Sequence, residues 1–151
     1  NRPLETIETV RPPSPFNVDF DPTRVARLAD MRALIASGER QILDARPAGR
    51  FTGAVPEPRP GIKSGHMPTA KSAPADTLVE NGQLKSPEVL KAQFQAAGID
   101  LEKPIVTTCG SGVTAATLKL ALEQAGARDV ILYDGSWTEW GGRDDTEVVT
   151  G

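Results

Sequence analysis

The 151-residue chain predicts an α/β fold, a central and mostly parallel sheet with helices on both faces, and three observations carry that expectation. Short apolar runs rich in Ile, Val and Leu alternate along the chain with stretches whose apolar residues recur at helical spacing. The runs are continuous rather than alternating, as strands covered on both faces require. They end in polar or reactive residues, Asp44, Cys109 and Asp134. In parallel sheets, sites form at the carboxyl ends of the strands.

Residues 1–20 carry Pro3, Pro12, Pro13 and Pro15 with Phe16, Val18 and Phe20 as apolar anchors. They read as a linker or wrapping arm, or equally as a frayed terminus, before a domain over 21–151. Asp21 and Pro22 supply a cap and a first-turn proline, and Val25, Leu28, Met31 and Ile35 follow at helical spacing up to Gly38. A helix over 22–37 is expected. Residues 41–45 predict a central strand. From Arg46 to Gly65 the prolines at 47, 56, 58 and 60 argue against any regular element. A long loop inside a compact domain is usually functional, and this one carries Arg46, Arg50, Arg59 and Lys63. A short strand over 71–75, the segment 77–79 and the turn Asn81-Gly82 come next. Ser86-Pro87-Glu88 opens a helix over 87–97 that Gly98 stops. A strand over 104–108 presents Cys109, a helix follows over 113–125, and 130–134 is the last central strand. Residues 135–142 read as an aromatic loop before a polar tail.

Composition narrows the function. The length suits one domain with a real core and leaves no room for a second. Seventeen basic and twenty acidic residues give a net charge of −3, with no basic run, so nucleic acid is not an expected partner. No apolar run is long enough to span a membrane, and no signal-peptide core is present. Asn1 in place of an initiator Met reads as a processed or truncated product, or part of a longer polypeptide. The single cysteine cannot close an internal disulfide, which fits a reducing, cytoplasmic setting. One cysteine and one histidine cannot make a four-ligand metal site, and no dinucleotide fingerprint is present. Neither a metal nor a cofactor is expected.

The chemistry centres on residues 105–117, Ile-Val-Thr-Thr-Cys-Gly-Ser-Gly-Val-Thr-Ala-Ala-Thr. The order is strand, tight loop, helix. Glycines at 110 and 112 let successive N–H groups turn inward at a helix N-terminus, which favours a thiolate on Cys109. The competing reading is a lone buried cysteine acting as a small hydrophobe. A phosphatase would need an arginine where Ala115 stands, and a cysteine protease has only His66 to offer as a base.

The stretch Cys109-Gly110-Ser111-Gly112-Val113-Thr114 resembles the active-site loop of the C-terminal, catalytic rhodanese-type domain of the mercaptopyruvate sulfurtransferases. The likeness spans nearly the whole chain and implies a rhodanese-like fold. Related thiosulfate sulfurtransferases carry bulky basic residues at the positions of Gly110 and Ser111; thiosulfate is a dianion, whereas 3-mercaptopyruvate bears its charge on a distant carboxylate. By the same likeness, the loop from Asp44 to Phe51 and from Glu57 to Gly61 binds substrate, with Arg50 and Arg59 on the keto-acid carboxylate and carbonyl, where the alternative is a solvated loop. The resemblance implies that Cys109 takes sulfur as a persulfide and passes it to cyanide or to a thiol such as thioredoxin. It further implies that the N–H groups from Gly110 through Gly112 and Val113 to Thr114 steady that anion, while Ser111 relays a proton or only fits the turn. Asp44 with Arg46 reads as a structural pair, His66 as a scaffold residue in a Gly-His-Met-Pro turn resembling the family's Gly-His-Ile-Pro, and Trp137 and Trp140 as packing. Thr69 stands where the family has glycine. The family joins two such domains, so an N-terminal rhodanese-type domain of the same polypeptide is an expected partner. The rivals are a thiosulfate sulfurtransferase and a non-catalytic, persulfide-carrying regulatory module.

Overall fold

The computed structural model describes residues 6, 10 and 12–151. Its strands are β1 (Val25–Ala26), β2 (Gln41–Asp44), β3 (Lys71–Ser72), β4 (Val79–Glu80), β5 (Gln83–Leu84), β6 (Ile105–Thr108) and β7 (Val130–Tyr133). Five of them form one sheet in the order β1-β7-β6-β2-β3, and every neighbouring pair in it is parallel. Strands β4 and β5 make a separate antiparallel hairpin about Asn81-Gly82, both of which have positive φ, as a tight hairpin turn requires.

The helices are α1 (Leu28–Ser37), α2 (Ala48–Phe51), α3 (Pro87–Ala96), α4 (Val113–Gln124) and α5 (Ser136–Trp140). Successive residues of a strand point to opposite faces, and both faces are covered. Leu43, Ile105 and Val130 pack with Leu90 and Phe94 of α3 and Leu118 and Leu122 of α4. Ile42 and Val106 pack on the other side with Met31 of α1, Met67, and Trp137 and Trp140 of α5. The two-sided burial explains why the strands are continuous in apolar character. Each fully buried Leu or Ile contributes about 1.5–3 kcal/mol.

Four expectations need correction. The helix expected over 22–37 begins only at Leu28. Asp21 does cap a turn, accepting the Thr23 N–H at 2.9 Å, but Pro22–Arg24 is a single 3-10 turn. Val25 and Ala26 then pair with Leu132 and Tyr133, whose backbone groups would otherwise lie unpaired at the sheet edge. The loop from 46 to 65 contains the one-turn helix α2, since Pro47 sits at its N-cap, where no N–H is needed, and Pro56 comes after its end. The strand expected over 71–75 stops at Ser72, and Ala75–Leu78 is a 3-10 turn led in by Pro74. The aromatic loop is largely helix α5, with Trp137 and Trp140 three apart on its buried face.

The arm expected over 1–20 lies partly outside the described residues. From residue 12 to 20 there is no helix or strand, and Phe16, Val18 and Phe20 are exposed. Among the described residues, no helix is long and apolar enough to cross a membrane.

Candidate active site

Strand β6 delivers Cys109 to the carboxyl edge of the sheet, where the residue is 2% exposed. The chain then turns through Gly110 and Ser111 to Gly112, whose φ of 85° places it in the left-handed region at the N-cap of α4. A side chain at 112 would also collide with Asp134, whose Oδ1 lies 2.8 Å from where a Cβ would stand. Glycine is therefore required there twice, by conformation and by space.

Burial pushes the Cys109 thiol up, but the Thr114 hydroxyl and the N–H groups of Ser111, Ala115 and Thr114 outweigh it, and the thiol sits below its ordinary range. The donors are dipoles rather than cations. The Ala115 N–H lies beyond the donors expected at 110–114; its place in the first turn of α4 is the signal for it. Gly110, Gly112 and Val113 shape the loop, and the Val113 side chain is exposed.

Helix α5 braces this loop from the β7 side. The Cys109 N–H donates to Ser136 Oγ at 3.1 Å, and Ser136 Oγ donates to the Tyr133 carbonyl at 2.8 Å. Ser136 is fully buried with a φ of 50°, an uncommon state for a residue with a side chain. The Trp137 and Thr138 N–H groups donate to the carbonyls of Cys109 and Gly110, each at 2.9 Å. Neither Ser136 nor Thr138 was singled out from sequence, although both follow the last strand at the sheet's carboxyl edge.

The loop between β2 and β3 forms the opposite wall. Arg46 and Asp44 are 1% exposed and pair at 2.6 Å, and Arg46 also donates to the Gly65 carbonyl at 2.7 Å and reaches Glu57 at 2.9 Å. Its guanidinium carbon lies 4.3 Å from the centre of the Trp137 ring. Glu57, a residue given no role from sequence, also binds Arg50 through both carboxylate oxygens. That bond raises the hold of Arg50 on its proton. The Arg50 guanidinium crosses the cysteine loop, 3.1 Å from where a Cβ on Gly110 would stand. Arg59 lies further out and donates to Thr138 Oγ1 at 2.8 Å.

Arg50, Arg59, Gly110 and Ser111 thus face one cleft of about 120 Å³, closed by Glu57, Pro58, Ile62 and Thr138. A larger groove of about 470 Å³ lies at the far ends of α3 and α4, beside Lys91, Asp100 and Arg128, and brings no nucleophile. His66 is buried, its Nδ1 2.8 Å from the Phe51 carbonyl and its ring stacked 3.9 Å from Phe51. Trp140 donates to the Glu147 carbonyl and Trp137 to the Lys63 carbonyl, both at 2.8 Å, so both pack beside the site. Thr69 has a φ of 64°, a conformation glycine would adopt more readily. Among the described residues, no group of three or more His, Cys, Asp or Glu is placed to hold a metal ion.

The chain is similar to known proteins in sequence and fold. The family profile described as a rhodanese-like domain matches residues 28–143. The chain is 48% identical over 147 residues to the 3-mercaptopyruvate sulfurtransferase of Escherichia coli K12, covering 96% of this chain and 52% of that protein. It is 42% identical to the human 3-mercaptopyruvate sulfurtransferase, covering 93% and 48%. The crystal structure of SseA from E. coli superposes with a TM-score of 0.70 at 42% identity, over 82% of this chain and 45% of that one. The chain therefore spans about half the length of the curated relatives it matches. A parallel sheet that ends in a cysteine loop, with this sequence match across most of its length, makes the chain a member of the rhodanese-like domain family.

Proposed function

We propose that the chain is the catalytic domain of a sulfurtransferase that takes sulfur from 3-mercaptopyruvate. The observation that carries this reading is a thiol held below its ordinary range by a hydroxyl and backbone N–H groups, next to a cleft in which two guanidinium groups, Arg50 and Arg59, face Gly110 and Ser111. A keto acid, whose carboxylate and carbonyl both accept guanidinium N–H groups, matches that pair of arginines. Arg50 and Arg59 take the carboxylate and carbonyl, which brings the substrate thiol to Cys109. The Cys109 thiolate gives its electron pair to the substrate sulfur. The carbon–sulfur bond breaks, its pair leaves as the enolate of pyruvate, and a proton, relayed by Ser111, completes pyruvate. Cys109 is left as a persulfide, and the N–H groups around it stabilise the anion. An acceptor thiolate then bonds to the outer sulfur, and the pair of the sulfur–sulfur bond returns to Cys109. A protein dithiol such as thioredoxin suits the second step, and the unpaired cysteine suits the reducing cytoplasm. The length of the relatives supports a preceding rhodanese-type domain as the other wall of the cleft.

Thiosulfate, a compact dianion, would need cations beside the sulfur, and Gly110 and Ser111 supply none. The test compares pyruvate release from 3-mercaptopyruvate with thiol present against thiocyanate release from thiosulfate and cyanide. Turnover of the keto acid is expected to dominate, to vanish in Cys109→Ser, and to show a raised KM in Arg50→Ala and Arg59→Ala. Equal turnover of both donors, or an active Cys109→Ser variant, overturns the reading. Binding to a protein partner with no turnover of either donor would instead make the chain a persulfide-carrying module.

A further inference from the structure

Thr138 joins the two walls of the cleft through a single oxygen. Its Oγ1 donates to the Gly110 carbonyl at 2.6 Å and accepts from Arg59 Nη1 at 2.8 Å. A hydroxyl has one hydrogen, and here the Gly110 carbonyl takes it. Only lone pairs remain toward the cleft, so the oxygen can receive a guanidinium N–H and has nothing to donate to an anion.

Arg59 is a long, exposed side chain, and among the described residues its one hydrogen-bond partner is Thr138. A guanidinium carries five N–H donors, so this bond leaves four for a ligand. The loop that carries it is anchored on either side independently: the Val55 N–H donates to the Gly49 carbonyl at 2.9 Å, the Lys63 N–H to the Gly141 carbonyl at 3.0 Å, and Trp137 Nε1 to the Lys63 carbonyl at 2.8 Å. The Gly110 carbonyl likewise keeps the Thr138 N–H at 2.9 Å. Both walls therefore stay in place without the hydroxyl, and what the hydroxyl settles is the direction of the Arg59 side chain.

We propose that Thr138 is a positioning residue that holds the Arg59 guanidinium over Gly110 and Ser111, and so sets the preference of the cleft for sulfur donors that carry a carboxylate. This rests on the sulfurtransferase reading for the identity of the donor. The bond between Thr138 and Arg59 stands without it. A preset guanidinium binds a carboxylate at less entropic cost than a free one.

The test uses Thr138→Val, nearly equal in shape, and Thr138→Ser, which restores the oxygen. Two quantities are read: KM and kcat for 3-mercaptopyruvate, and the concentration of pyruvate that half-protects Cys109 from alkylation. In Thr138→Val, both KM and the half-protecting concentration should rise roughly tenfold, the worth of one charge-assisted hydrogen bond at an exposed site. The same variant should change kcat, and the pH profile of unprotected alkylation, far less. Thr138→Ser should restore KM and protection to near the parent values. An unchanged KM and unchanged protection in Thr138→Val overturn the proposal, as does a shifted alkylation profile, which would mark a structural role in the loop. Failure of pyruvate to protect any form also overturns it. If the parent chain does not turn over 3-mercaptopyruvate yet pyruvate protection still depends on Thr138, the donor assignment fails and the positioning role stands.

Discussion

Strands β2 and β6 end side by side, and each delivers an acidic group to a buried place. Asp44, at the end of β2, meets a formal counter-charge in Arg46 at 2.6 Å, and the guanidinium also donates to Glu57 and to the Gly65 carbonyl. Cys109, just past β6, has no ion-pair partner and is held by dipoles, the Thr114 hydroxyl and three backbone N–H groups, with the Arg50 charge acting from across the loop. A full counter-charge leaves Asp44 satisfied and inert. Dipoles favour the charged sulfur without covering it by a cation, so its lone pairs stay available to an electrophile. The neighbouring strand ends differ in how charge is compensated.

The largest effect should come from breaking the ionic side of this pair. Arg46→Met removes the guanidinium and leaves Asp44 and Glu57 buried without it, at a cost of about 3–5 kcal/mol in urea unfolding. A loss under about 1 kcal/mol would erase the distinction. The dipolar side should respond in proton affinity. Thr114→Val removes one donor to the thiolate, and the pH midpoint of Cys109 alkylation should climb by roughly one unit. The sign of the linked stability follows: the native thiol gives up its proton at lower pH than the unfolded one, whose value is about 8.5. Relative to Cys109→Ser, the parent chain should therefore gain stability as pH rises toward about 8.5 and lose that advantage as pH falls through the native value. An advantage that grows on acidification would contradict a lowered thiol pKa. The smallest effect belongs to the exposed ion pair of Arg24 and Glu123, 2.8 Å long. Arg24→Ala should change stability by about 0–1 kcal/mol, and less at high salt, which separates exposed pairs from the buried one.

Legibility followed distance along the chain. The central strands, α3 and α4 could be read because each carries its own local pattern, and Gly98 and Gly126 both take positive φ just beyond those two helices. The cysteine loop was readable as strand, glycine turn and helix for the same reason. What escaped was made by partners far apart in sequence. Val25–Ala26 is too short to show a period and is a strand only because β7 offers an edge. Glu57 gains meaning from the arginines it joins, and Ser136 and Thr138 from backbone atoms of a loop that lies 27 and 28 residues earlier. Helix α2 was hidden because proline at the start of a turn was read as proline forbidding it.

The bracing of the cysteine loop by α5 fixes an order of events during synthesis. Cys109 and Gly110 leave the ribosome before Ser136, Trp137 and Thr138, which supply the acceptor for the Cys109 N–H and the donors for both carbonyls. Strand β6 also waits for β7, its neighbour in the sheet. Until those later residues arrive, the nascent chain carries its cysteine loop on an unfinished edge. The geometry of the cysteine loop is thus completed last, and an arrested or truncated product lacking α5 would leave the Cys109 N–H and the carbonyls of Cys109 and Gly110 without these partners.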